Sequence, residues 1–135
     1  MKKRIYLDSG VLIAAFRGEG SLGLSAIKIL DDIRMQPVLS DAVWLETMPK
    51  PLYENNREEI EFYNKILEYS EFIKINEQAI LSAKDIAPKY GLSAMDALHI
   101  ALAMESGADE IVTTEKPTKP LLRVKEMKVH TLNEI

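Results

Sequence analysis

The sequence predicts an α/β protein built on a mainly parallel sheet of four to five strands, covered by helices on both faces. Two observations carry this. Short β-branched and aliphatic runs alternate with longer segments whose apolar residues recur at helical spacing, the pattern of successive strand–helix–strand units. One helix, at 94–106, is apolar almost all round and therefore belongs in the interior. With 135 residues, no internal repeat and no dividing linker, a single domain over 1–135 is expected.

The first strand is expected at 5–8, where Ile5, Tyr6 and Leu7 lead into Asp8 and Ser9-Gly10 turns the chain into a helical segment at 11–16. Arg17-Gly18-Glu19-Gly20 reads as a loop. Ser21 reads as the N-cap of a helix over 22–34, with Ala26, Ile27, Leu30 and Ile33 on one face. A second strand at 37–40 leads to a helix at 42–48, capped by Ser40 or Asp41 and stopped by Pro49-Lys50-Pro51. Residues 56–70 form an amphipathic helix with Ile60, Tyr63, Ile66 and Leu67 inward and Glu58, Glu59 and Glu61 in solvent. A third strand at 72–75 precedes a helix at 77–90, ended by Gly91. Ser93 opens the apolar helix, Gly107 closes it, and strands at 110–114 and 128–131 follow.

Composition narrows the chemistry. The absence of cysteine rules out disulfides and thiolate metal sites, and is compatible with the expected cytoplasmic location. The net charge of −4, from 17 basic and 21 acidic residues, disfavours a generic nucleic-acid coat protein. Met1-Lys2-Lys3-Arg4 superficially resembles the start of a signal peptide, but Asp8-Ser9-Gly10 interrupts the apolar run after three residues. No run approaches the roughly 18 apolar residues of a membrane span, so no membrane partner is expected.

Four acids stand out. Asp8 ends a buried strand, a costly place for a carboxylate. Glu46 lies alone in Val43-Trp44-Leu45-Glu46-Thr47-Met48, Asp96 alone within 92–104, and Glu115 directly follows the fourth strand. Each has a plain alternative: Asp96 three residues after Ser93 fits a capping box, Glu46 fits an exposed helix, and Glu115 fits a loop. Gathered in one cleft, they would repel each other and raise each other's pKa values unless a cation neutralised them. Oxygen ligands without His or Cys suit Mg²⁺ or Mn²⁺, which favour phosphate substrates and can activate water against a phosphodiester.

The combination of Leu7-Asp8-Ser9, the isolated Glu46, the run Leu92-Ser93-Ala94-Met95-Asp96-Ala97-Leu98-His99-Ile100-Ala101, and Ile111-Val112-Thr113-Thr114-Glu115 resembles the PIN domains. These are nucleases typified by the VapC toxins of toxin–antitoxin pairs. The resemblance spans essentially the whole chain, and 96–101 is its most specific piece. It implies a three-layer α/β/α sandwich, a divalent metal (Mg²⁺ or Mn²⁺), and hydrolysis of single-stranded RNA by activated water. It also implies an antitoxin partner and a homodimer. By motif match, Asp8, Glu46 and Asp96 become the catalytic and metal-ligating acids, with Ser9 and Thr113 in support. The fourth acid of the family is usually Asp, two residues after a Thr; here Glu115 takes that place and reaches one methylene further. Lys116-Pro117-Thr118-Lys119-Pro120 stands where the family often has an Asp and an aromatic.

Other candidates surround this set. His99, one turn beyond Asp96, reads as a packed, hydrogen-bonded histidine or a base facing the cleft; His130 reads as structural or exposed. Lys116, Lys119, Arg123, Lys125 and Lys128 form a basic excess beside Glu115. With Arg17, they are the candidates for RNA phosphate contacts, or else a solvated charge run. Trp44, Met48, Tyr53 and Phe62 belong to the core or to an interface. Two rival functions follow from the same residues. One is a catalytically degenerate PIN-like domain that binds RNA or protein, motivated by Glu115. The other is a receiver or haloacid-dehalogenase type of phosphoryl-transfer protein, which would need an acid at Gly10 or an Asp after the third strand, where Lys74-Ile75-Asn76 stands.

Overall fold

The computed structural model describes residues 1–134. Its elements run β1 (Lys3–Leu7), α1 (Ser9–Arg17), α2 (Gly20–Asp31), β2 (Met35–Ser40), α3 (Asp41–Thr47), α4 (Pro49–Glu54) and α5 (Arg57–Tyr69). They continue with β3 (Glu71–Ile73), α6 (Glu77–Tyr90), α7 (Ala94–Ser106), β4 (Glu110–Thr113), a 3₁₀ turn (Pro120–Arg123) and β5 (Val129–Thr131). The strands form one sheet in the order β3-β2-β1-β4-β5, with every neighbouring pair parallel.

The chain steps outward from β1 to β3, then crosses back to place β4 on the other side of β1. Right-handed crossovers therefore put α1 to α5 on one face and α6 and α7 on the other. The packing agrees: α1 meets α2 and α5, and α6 meets α7. This is the α/β/α sandwich the sequence predicts. Because β1 is central and covered on both faces, Ile5, Tyr6 and Leu7 are all fully buried and no in–out alternation appears. The small side chains of Ala97, Ala101 and Ala103 bring α7 close to its neighbours. On the other face, the Phe16 ring lies 5.5 Å from that of Phe62 and 6.0 Å from that of Tyr63, joining α1 to α5.

Several boundaries differ from expectation for local reasons. The chain from α1 to α2 is tighter than a loop over 17–20: Gly18 and Gly20 take the left-handed conformation at φ 63 and 64. A Cβ on Gly23 would sit 2.6 Å from the Gly18 backbone, so only glycine lets α2 begin this close to α1. Glu19, not Ser21, is consequently the N-cap of α2, and its side chain makes no capping bond. Pro49 starts α4 instead of only stopping α3, since proline suits the first helical turn. Of the two candidate caps for α3, Ser40 accepts the Val43 N–H at 3.3 Å, while Asp41 takes the Ile75 N–H at 2.8 Å. That bond draws the Ile75 amide to a side chain, and β3 ends at Ile73. Among the described residues no single helix is long and apolar enough to cross a membrane.

Candidate functional site

In an open parallel sheet, a cleft forms beyond the carboxyl ends of the strands where the strand order reverses. Here that point lies between β1 and β4. Asp8 follows β1, Glu115 lies just beyond β4, Glu46 stands on α3 beyond β2, and Asp96 sits in the first turn of α7. The fold brings all four to one cleft, lined also by Ser9, Gly10, His99 and Thr114.

Asp8 is only 8% exposed and is anchored on both oxygens. Oδ1 accepts the Gly10 N–H at 3.0 Å, capping α1, and Oδ2 accepts the Thr113 hydroxyl at 2.7 Å. The Thr113 oxygen in turn accepts the Glu115 N–H at 3.1 Å. One buried hydroxyl thus ties the first acid to the backbone of the fourth. Glu46 Oε1 accepts the Ser9 hydroxyl at 3.0 Å and meets His99 Nε2 at 2.5 Å. The Asp96 N–H donates to Ser93 Oγ at 3.2 Å, forming one half of a capping box. Its carboxylate does not return the bond. Neither Asp96 nor Glu115 has a side-chain hydrogen bond among the described residues.

The electrostatics divide the acids. Burial pushes Asp8 above the ordinary carboxylate range; Thr113, His99 and the Gly10 amide oppose it, and the Asp96 charge adds to it. Glu115 is raised by burial, then by Asp96 and Asp8, with Lys119 pulling the other way. Glu46 is lowered, chiefly by its bond to His99. Three acids in one field, two of them without a hydrogen-bond donor, form a donor set that fits a hard divalent cation. Among the described residues no three acids or histidines already stand around one point as a coordination cage. The Glu46 carboxylate is turned toward His99 and Ser9. The fit is therefore one of charge and donor type.

The outer candidates separate. Lys119 acts on Glu115 electrostatically, and Lys116, Lys119 and Arg123 are exposed outside the cleft lining. Lys128 points elsewhere, bonded to Glu110 at 3.3 Å at the amino end of the sheet. Arg17 ends α1, about 12 Å along the helix axis from Ser9. His130 is half exposed. Trp44 and Tyr53 are exposed, Met48 is buried and Phe62 partly so. Two residues behind the site were not picked out by sequence reasoning. Tyr6 and Ser40 are buried and hydrogen-bonded to each other at 2.6 Å, and Tyr6 meets His99 Nδ1 at 2.7 Å. The available signal was a hydroxyl between two aliphatic residues, Ile5 and Leu7, of the central strand.

Residues 5–117 match the PIN domain family model, and the chain belongs to the PIN domain family. No curated protein sequence matches it. Among solved structures, a toxin–antitoxin complex from Klebsiella pneumoniae is similar with TM-score 0.77 and 23% identity, over 97% of this chain and 99% of that one. VapBC2 from Rickettsia felis, bound to a DNA fragment from its promoter, has TM-score 0.71 and 13% identity over 95% and 98% of the two chains. Mycobacterium tuberculosis VapC20, a sarcin–ricin loop cleaving toxin, has TM-score 0.63 and 16% identity over 79% and 86%. At these identities the likeness is one of fold.

Proposed function

We propose that this chain is a divalent-metal-dependent endoribonuclease that cleaves single-stranded RNA with activated water, and that it is the toxin of a VapBC-type pair. One observation carries the reading: Asp8, Glu46, Asp96 and Glu115 converge on one cleft at the switch point of the sheet. The similar structures described as a toxin–antitoxin complex, as VapBC2 and as a sarcin–ricin loop cleaving toxin support it.

In this reading Asp8, Asp96 and Glu46 hold Mg²⁺ or Mn²⁺, with Glu115 assisting directly or through water. The ion would lower the pKa of water and offset charge on the phosphodiester. Thr113 and the Gly10 amide keep Asp8 fixed, and Ser9 steadies Glu46. Lys116 and Lys119 beside Glu115 are the proposed phosphate contacts, with Arg123 and Arg17 farther out. Such contacts give affinity without sequence information. The exposed apolar side chains of Trp44, Leu45, Leu52 and Tyr53 on α3 and α4 are the proposed surface for an antitoxin or a second copy. The proposed location is the cytoplasm.

The test is cleavage of single-stranded RNA with Mg²⁺ or Mn²⁺. Wild type should cut, and Asp8→Asn should cut about 100-fold more slowly or not at all. Equal cutting by Asp8→Asn refutes the assignment. A second reading, a PIN fold that binds RNA or protein without cutting, draws on Glu115 and on the absence of a preformed cage among the described residues. Calorimetric titration with Mn²⁺ separates the two. The degenerate reading expects no ion binding that depends on Asp8 and Asp96.

A further inference from the structure

We infer that Ser40, Tyr6 and His99 form a buried hydrogen-bond chain that grips one carboxylate oxygen of Glu46 and sets its orientation at the cleft. Tyr6 and His99 are then positioning residues for that acid. The inference rests on the proposed role of Glu46 as a cation ligand.

Ser40 and Tyr6 are fully buried and His99 is 3% exposed. The links are Ser40 Oγ to Tyr6 hydroxyl at 2.6 Å, Tyr6 hydroxyl to His99 Nδ1 at 2.7 Å, and His99 Nε2 to Glu46 Oε1 at 2.5 Å. The Glu46 carboxylate only accepts, so Nε2 carries the proton and donates. The Tyr6 hydroxyl bridges His99 Nδ1 and Ser40 Oγ. Ser40 Oγ also accepts the Val43 N–H at 3.3 Å, which ties the far end of the chain to the start of α3. Such a chain fixes the histidine ring plane, as outer partners do around metal-binding groups.

A purely structural explanation fits less well. Tyr6 lies on the central strand between Ile5 and Leu7, both fully buried and apolar, and phenylalanine would fill the same volume without burying a polar group. The chain instead runs from Ser40, the cap of α3, through β1 and α7, and back to Glu46 on α3. Ser9 places a second donor on the same Glu46 oxygen at 3.0 Å. Oε2 has no hydrogen bond among the described residues. One oxygen is thus held and the other left for a ligand.

The experiment compares the full-length wild type with Tyr6→Phe, which removes a single oxygen. Mn²⁺ affinity is measured by calorimetry without RNA, and the hydrogen bond at His99 Nδ1 by ¹⁵N NMR of the imidazole. Wild type should show Nδ1 hydrogen-bonded. Tyr6→Phe should melt cooperatively, lose that hydrogen bond, and bind Mn²⁺ about 10- to 100-fold more weakly. Equal Mn²⁺ affinity in the two proteins overturns the inference. His99→Gln and His99→Leu form a second pair that does not depend on Tyr6→Phe folding. Glutamine retains a donor for Glu46 and should keep more Mn²⁺ affinity than leucine; equal losses in the two also overturn it. Wild type that binds no Mn²⁺ sinks the cation-ligand reading, and this inference falls with it. Wild type that binds Mn²⁺ alongside an unaffected Tyr6→Phe sinks the inference alone.

Discussion

Thr113 carries two bonds with one buried hydroxyl, donating to Asp8 and accepting from the Glu115 amide. Thr113→Val keeps the shape and leaves two partners unsatisfied, so it should lower stability by about 1–3 kcal/mol. Thr113→Ser should restore most of that in chemical denaturation. Gly10 makes a second local demand: a Cβ there would lie 2.3 Å from Thr114 Oγ1 and 3.3 Å from Asp8 Oδ1. Gly10→Ala should therefore cost about 1–3 kcal/mol by overpacking. Most of that cost should vanish in the Thr114→Ala background, a coupling that a double-mutant cycle reads directly. Asp8, Glu46, Asp96 and Glu115 were legible as candidates because each interrupts an apolar setting or follows a strand. Tyr6 and Ser40 were not. A tyrosine in a buried strand looks like packing until the fold brings His99, 93 positions away in sequence, to its hydroxyl.

At the scale of elements, apolar periodicity and capping residues located most of the strands and helices, because those signals are local. Misplaced boundaries arose where a neighbour decided the outcome. The α1–α2 junction depends on Gly23 packing against Gly18, which moved the cap of α2 from Ser21 to Glu19. Proline after α3 reads as a stop, yet its position at the first turn of α4 uses the same missing N–H without penalty. The 3₁₀ turn at 120–123 buries Leu121 within a segment that by sequence is a basic excess with no periodic apolar signal. The α2 start also offers an improvement. Glu19 has extended backbone, φ −94 and ψ 133, suitable for an N-cap, but its side chain makes no cap bond. Glu19→Ser should supply one and stabilise the protein by about 0.5–1 kcal/mol, seen as a higher melting temperature with unchanged metal binding.

Across the whole molecule, the two ends of one sheet treat buried carboxylates in opposite ways. At the carboxyl end, Asp8 and Glu115 are raised and share a field with Asp96. At the amino end, the Glu110 side chain is 2% exposed but lies 3.2 Å from Lys3 and 3.3 Å from Lys128, joining β1, β4 and the approach to β5. Burial pushes Glu110 up, and the two ammonium groups outweigh it, leaving it below the usual carboxylate range. Charge at the carboxyl end opposes stability, while charge at the amino end stabilises the sheet. Neutralising each end should then have opposite effects in metal-free buffer. Glu115→Gln relieves repulsion and should stabilise by about 0.5–1 kcal/mol. Glu110→Gln leaves two partly exposed lysines free to rehydrate and should destabilise by about 1–2 kcal/mol at pH 7. The sign with pH follows from the depressed Glu110 value. Its contribution is present above the ordinary glutamate pKa and is lost as pH falls through the folded value. Denaturation curves of wild type and Glu110→Gln should therefore separate at neutral pH and converge in acid. A gap that stays constant down to acid pH would show that Glu110 acts through packing and not through its charge.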